Sequence, residues 1–277
     1  MSARAETVEG FELRGEATPV RMLLTDLWRS GPLILTLARQ NFYVRYRRAS
    51  FGMLWAVALP LVQTLVLAFE FSRILRIGRV DHFVIFILTG ITAWSFFSGS
   101  VQGATTSIVD GANLSTRIYF PRMIFPLVVV GANLYGYVAS LTLLVIASLI
   151  DGLGVGLRLL WLLPATLLLV ALTTGFSIVL SGLHVYFRDM RYLVQAVFIG
   201  WLYATPVIYS MAQARGFASV IAANPATGVV LLFRAALLGH DRYFLQSIAW
   251  SVAWTGALLV AGVLIHRRYD RVFADLL

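Results

Sequence analysis

Six apolar stretches, each about as long as a bilayer crossing, constrain this chain more than anything else in it. They run roughly over Gly52–Ser72, Phe83–Gly103, Met123–Ile150, Leu157–Leu183, Tyr192–Ser210 and Leu245–His266. A hydrocarbon core about 30 Å thick is crossed by about 20 apolar residues in a helix, whose backbone groups bond to one another. The sequence therefore predicts an all-α polytopic membrane protein with six transmembrane helices. Those spans use nearly half of the 277 residues, so no large soluble domain fits beside them. Residues 1–49 read as a cytoplasmic N-terminus and 50–277 as the transmembrane domain.

The charge pattern narrows the function. Only 13% of the residues are charged, about half the share of a soluble domain. The net charge of +9 does not call for a nucleic-acid partner, because basic excess in a membrane protein collects in cytoplasmic loops facing anionic lipid. All 22 basic residues are arginine. A phosphate loop of the G-x-x-x-x-G-K-[ST] kind needs lysine, so the chain cannot build that ATP site, and ATP with Mg²⁺ would be bound by a partner subunit. There is no cysteine, which excludes disulfides and thiolate metal sites. Met1 to Pro19 holds arginines and glutamates without an apolar run, so it does not read as a signal peptide.

Arginine placement sets the topology. With both termini in the cytoplasm, 15 arginines fall on that side and 7 on the other. Arg73, Arg76 and Arg79 oppose the rule, and the clusters before the first span and after the last outweigh them. Pro60, Pro126, Pro164 and Pro206 lie inside spans and are expected to be plain kinks.

Two segments outside the spans are unusually apolar. Val20, Leu23, Leu24, Leu27 and Trp28 share one helical face, with Arg21, Thr25, Asp26 and Arg29 opposite. Ser30-Gly31-Pro32 breaks and restarts that helix, which then ends in Tyr43, Arg45, Tyr46, Arg47 and Arg48. The pair is expected on the cytoplasmic leaflet, with Trp28, Arg45, Arg47 and Arg48 at the interface and arginines on lipid phosphates. Packing on protein is the alternative. Between the fifth and sixth spans, Met211–Phe244 is interrupted by Asn224-Pro225 and predicts a re-entrant helix pair.

Chemistry-bearing groups are scarce. His82, His184, His240 and His266 stand apart, so no metal site is expected. Glu70 is the one acidic residue within the spans and is expected to reach toward Arg73. No catalytic carboxylate pair can be assembled, and no catalytic residue is assigned. The aromatics say more. Trp94, Phe96 and Phe97 are midway in the second span, Tyr135 and Tyr137 in the third, Trp201 and Tyr203 in the fifth. Trp and Tyr ordinarily collect at the interfaces. Rings at mid-depth suit stacking on the C–H faces of a sliding sugar, with helix packing as the plain alternative. The densest polar cluster between spans is His184-Val185-Tyr186-Phe187-Arg188-Asp189-Met190-Arg191, a short cytoplasmic turn suited to docking a partner or to capping helices.

Several blocks resemble ABC type-2 permeases that export polysaccharides such as O-antigen, capsule, teichoic acid and galactan. They are Leu37–Arg48 followed by Gly52-Met53-Leu54-Trp55 and Pro60-Leu61; Gly90–Phe97; Arg117-Ile118-Tyr119-Phe120-Pro121-Arg122 with Phe125-Pro126-Leu127; Tyr186-Phe187-Arg188-Asp189 with Thr205-Pro206-Val207-Ile208-Tyr209; and Asn224-Pro225, Phe233-Arg234 and Leu238-Gly239. They stand in family order over nearly the whole chain. Gln40 replaces the usual Asp after Arg39, and Val229–Leu232 lacks the family's Glu.

The resemblance implies a homodimer in the plasma (inner) membrane, each copy bound to a cytoplasmic ABC ATPase, exporting a polyprenyl-linked glycan. It would place coupling at Arg117, Arg122, Tyr186, Phe187, Arg188, Asp189 and Arg191. The outer gate would lie at Met211–Gly239, with Asn224, Pro225, Phe233 and Arg234, and the cytoplasmic gate at Val20–Arg48. A drug or small-lipid exporter is the nearest rival. A membrane glycosyl- or phosphotransferase would need acidic or histidine clusters that are not found.

Overall fold

A computed structural model describes residues 20–47, 49–74, 81–111, 121–154, 156–239 and 242–269, and every regular element among them is helical. Of the residues singled out above, Arg48, Arg76, Arg79, Arg117, Ile118, Tyr119, Phe120 and His240 lie outside the described residues, as does the segment from Met1 to Pro19.

Two N-terminal helices come first, α1 (Val20–Arg29) and α2 (Gly31–Tyr46). They behave differently. In α1, Leu27 packs beside Met123 and Ile178 while Trp28 is 87% exposed. In α2, Ala38 and Phe42 are buried against Ala132, and the Phe42 ring stacks on Tyr135 with centroids 5.3 Å apart. So α2 is held by protein on one side, while Leu35 and Val44 stay exposed on its outer surface.

After a 3-10 turn at Gly52–Leu54, α3 (Trp55–Phe69) runs into one π turn, Glu70–Ile74. Pro60 lacks the N–H that would bond the Ala56 carbonyl. Ser140 of a neighbouring helix donates its hydroxyl to that carbonyl instead, at 3.4 Å. This is how a proline survives in a bilayer helix. The expected reach of Glu70 toward Arg73 is not made: both are exposed and form no ion pair. Residues three apart face each other in an α-helix but not in the wider π winding.

α4 (Phe83–Thr105) is the centre of the fold, and α3, α6 (Ile124–Ile150), α7 (Leu162–Tyr186) and α10 (Pro225–Leu237) pack against it. A short α5 (Ser107–Asp110) follows it. In the most apolar window of α4, 78% of residues are buried, against 22% in the segment containing α3 and 17% in the last helix, α11 (Phe244–Tyr269). Apolar side chains around α3 and α11 therefore face lipid or another chain. α11 packs on α7 where glycines permit close approach: a Cβ on Gly175 would lie 2.9 Å from Leu258, and one on Gly262 2.8 Å from Ile178.

Five segments are long and apolar enough to cross a membrane: Gly52–Ile74, Phe83–Thr105, Ile124–Ile150, Leu157–Tyr186 and Phe244–Arg267. The fifth predicted stretch is built differently. Its helix, α8 (Met190–Ala204), has 15 residues, about 22 Å, and then the chain turns at Thr205–Tyr209. A 3-10 segment (Met211–Phe217), α9 (Ala218–Ala222) and α10 follow. α10 is buried from Ala226 to Ala236. It runs antiparallel to α11, since Ser251 bonds Pro225 and Gly228 while Ser247 lies beside Gly228. The fifth apolar stretch is thus not one long helix: the short α8 is followed by a turn, two short helical segments and the short buried α10.

Candidate substrate cavity

The reversal between α8 and α10 is made by two prolines and one asparagine. Pro206 cannot continue a helix, and α8 ends with Thr205 N–H and hydroxyl both donating to the Trp201 carbonyl, at 3.0 and 2.9 Å. Pro225 starts α10 at a position where its missing N–H costs nothing. Asn224 caps α10, its Oδ1 accepting from Ala226 N–H at 3.0 Å and from Trp201 Nε1 at 3.0 Å. Its Nδ2 donates to the Ala204 carbonyl at 3.1 Å and to Thr205 Oγ1 at 3.0 Å. One side chain thus ties the end of α8 to the start of α10.

These pieces border an open cavity of about 850 Å³ whose lining includes Trp201, Tyr203, Tyr209, Phe217, Gln213 and Asn224. Among the described residues, no charged side chain lines it. Its walls are ring faces and aliphatic groups with two amides, a surface that can stack on sugar C–H faces and bond hydroxyls without fixing a register. A cavity of this size holds one drug-sized molecule or a few sugar residues.

The two walls are set from outside the cavity. Arg234 is 5% exposed and donates to the Val207 carbonyl at 2.8 Å, with its guanidinium 3.5 Å above the Phe86 ring of α4. It satisfies unwound backbone where no water would do so. Gly90 lets the same turn press on α4, because a Cβ there would be 2.9 Å from Val207 Cγ1 and 3.1 Å from its Cα.

The seven mid-depth aromatics divide into two sets. Trp94, Phe96, Phe97 and Tyr137 are at most 6% exposed. Trp94 meets Phe97, Phe198 and Trp201 at centroid distances of 5.7–6.3 Å, and Phe97 meets Phe176 at 5.4 Å. Their faces are taken by one another. Phe96 and Tyr137 also border a smaller cavity between α2, α3, α4 and α6. Tyr203 and Tyr135 are 57% and 41% exposed, and Trp201 is half-buried with one edge in the aromatic cluster. Of the four proposed gate residues, Asn224 and Pro225 border the main cavity, whereas Phe233 is fully buried and Arg234 braces the turn.

Tyr186, Phe187, Arg188, Asp189 and Arg191 form an exposed turn between α7 and α8. Asp189 sits at the N-cap of α8 and its side chain makes no capping bond. Arg191 instead donates to the Tyr192 hydroxyl and covers its ring. Arg122 is half-buried just before α6. Arg47 is exposed, and Arg45 donates to Asn133 Oδ1 of α6 at 2.7 Å, so it is anchored to protein as well as exposed. Among the described residues no group of three His, Asp or Glu could hold a metal.

Reading the sequence for rings within spans missed Tyr209, Phe217 and Gln213, because they belong to irregular backbone. The signal available was the pair of turn prolines, which told where the wall bends.

Residues 32–238 match the family described as ABC-2 type transporter. The chain belongs to that family. This ABC-2 permease is similar, over nearly its whole length, to O-antigen export system permease proteins named RfbA. The one from Myxococcus xanthus is 27% identical over 260 residues, covering 91% of this chain and 98% of that protein. One from Klebsiella pneumoniae is 27% identical over 249 residues, 88% of this chain and 95% of its own. Family membership and the apolar helices make the chain a multi-pass membrane transport permease, and the polysaccharide-exporter resemblance carried by Tyr186–Asp189 and Asn224-Pro225 agrees with both relatives.

Proposed function

We propose that this permease exports a lipid-linked polysaccharide across the plasma membrane as one of two copies paired with two copies of a separate ABC ATPase, both of its termini being cytoplasmic. The observation that carries the substrate class is the large cavity between α8 and α10, walled by aromatic rings and amides among the described residues. The ATPase follows from the family and from a sequence without lysine. For the pairing of copies, Ala196, Gly200 and Ala204 lie exposed on α8 at intervals of four, and nothing lies within 4 Å of a Cβ at Gly200. Such small-residue spacing lets helices in lipid approach closely. Purification with the ATPase should give turnover stimulated by lipid-linked glycan; robust ATP hydrolysis by this polypeptide alone would overturn the proposal.

Two substitutions separate pathway from packing. Tyr203→Leu removes an exposed ring face bordering the cavity, so surface glycan should fall at least several-fold while yield and melting temperature hold. Trp94→Leu leaves a gap in a closed aromatic cluster and should cost stability, about 1–3 kcal/mol, with export following protein level. The reverse pattern, stable loss of export for Trp94→Leu and normal export for Tyr203→Leu, would move the glycan track to the buried rings.

The α7–α8 turn is proposed as the ATPase contact. Because the Asp189 carboxylate makes no capping bond, Asp189→Ala should leave membrane level unchanged. Transport-linked ATP turnover should drop, and normal glycan export by this variant removes the assigned role.

A further inference from the structure

The cavity between α2, α3, α4 and α6 holds about 320 Å³, lies apart from the aromatic cavity, and has a different chemistry. Its lining carries Arg45, Gln63, Thr92, Ser95, Ser98 and Asn133, with no carboxylate among the described residues. Arg45 can only donate, so its 2.7 Å bond to Asn133 Oδ1 turns the amide and leaves the NH₂ group as donor. That Nδ2 is buried and has no partner among the described residues. Neither has the hydroxyl of Thr92, which is 1% exposed. Two unsatisfied buried groups beside a guanidinium are each costly, about 1–3 kcal/mol, unless something occupies the space between them. Acceptor-rich and negatively charged is what the donors select.

A second cavity, about 440 Å³, shares Arg45 in its wall with the first. Leu37, Val44, Phe125 and Val128 make most of its wall apolar, with the amides of Gln40 and Asn41 beside them, and the exposed Arg45 lines both cavities. An apolar chamber joined through one arginine to a donor-rich chamber matches an amphiphile: hydrocarbon in the first, a charged oxyanion in the second. Resting on the exporter reading above, we propose that this pair of cavities binds the phosphate or diphosphate end of a lipid-borne substrate. Arg45 supplies the charge; Asn133 and Thr92 supply neutral hydrogen bonds.

The test uses the purified permease in phosphatidylcholine nanodiscs, with empty nanodiscs as background, and equilibrium binding of farnesyl diphosphate as probe. Farnesol should bind at least tenfold more weakly, since a charge-assisted bond to the oxyanion is lost. Arg45→Gln keeps an amide for Asn133 and loses the charge; it should weaken the probe tenfold or more. Thr92→Val removes a hydroxyl at nearly constant shape and should weaken it several-fold, which keeps the test open should Arg45→Gln fold poorly. Wild-type affinity in both variants, or equal binding of farnesol, overturns the site. Inorganic pyrophosphate binding as tightly as farnesyl diphosphate overturns the lipid-borne assignment and identifies a free-anion site. Failure here is distinct from failure of the exporter reading: phosphate-dependent binding without glycan export in cells would sink only the latter.

Discussion

Gly228→Ala is expected to leave almost no folded permease in the membrane. α10 contributes no side chain where it meets α11 at Gly228, and the Ser251 hydroxyl of α11 bridges the two there. A Cβ on Gly228 would lie 2.4 Å from the Ser247 carbonyl oxygen and 2.5 Å from Ser251 Oγ. The first contact is backbone and cannot rotate away. Separating the helices would also break the bond from Gly228 N–H to Ser251 Oγ and the 2.6 Å bond from that hydroxyl to the Pro225 carbonyl. Overpacking alone costs about 1–3 kcal/mol, and the lost bonds add about 1 kcal/mol each. The check is monodisperse yield and melting temperature in detergent beside Gly256→Ala on α11, where a Cβ meets nothing within 4 Å. Equal behaviour of the two variants would show that α10 does not seat on α11 as described.

Asn224→Ala should act more locally. The substitution removes the α10 cap, worth about 0.5–2 kcal/mol, and leaves Trp201 Nε1 and Ala226 N–H without their acceptor. The two donations to Ala204 and Thr205 go as well. Yet none of these bonds belongs to the five long apolar segments. The chain should insert with its overall helicity intact while the junction of α8 and α10 loosens and export is lost. Asn224→Asp retains the oxygen acceptors, loses the donors and adds a charge, so its melting temperature should fall between wild type and Asn224→Ala. Cysteine accessibility at Tyr209→Cys, in a chain with no native cysteine, reports the junction directly. Unchanged labelling and export in Asn224→Ala would remove the asparagine from its bracing role.

The first prediction concerns the seat of α10 on α11 and the second the reversal between α8 and α10, where sequence reading was least complete. Asn224-Pro225 signals a stop and restart, and the apolar residues around it signal immersion. Nothing in the order of residues says that the Asn224 amide reaches back twenty positions to the end of α8, or that Arg234 reaches the Val207 carbonyl. Such bonds depend on where two separately folded segments come to rest. The aromatics show the same limit. Trp94 and Trp201 read alike, one in the second stretch and one in the fifth, yet only Trp201 borders the main cavity, because Trp94 is buried within α4's packing and α8 is largely exposed.

What the sequence determined by itself was the material of the fold. Runs of about 20 apolar residues must be helices in lipid, since no water is there to satisfy the backbone, and a chain without lysine cannot make a Walker phosphate loop. Those are constraints of composition and length, and they hold whatever the helices touch. Only the tertiary structure decided that the fifth apolar stretch is broken into short helices, that Trp94 and Phe97 are closed off while Phe96 and Tyr137 border the smaller cavity, and that the exposed Arg45 is anchored to Asn133. Each of these turns on close contact between segments far apart in the chain, where the lack of one Cβ or the orientation of one amide sets which surfaces meet.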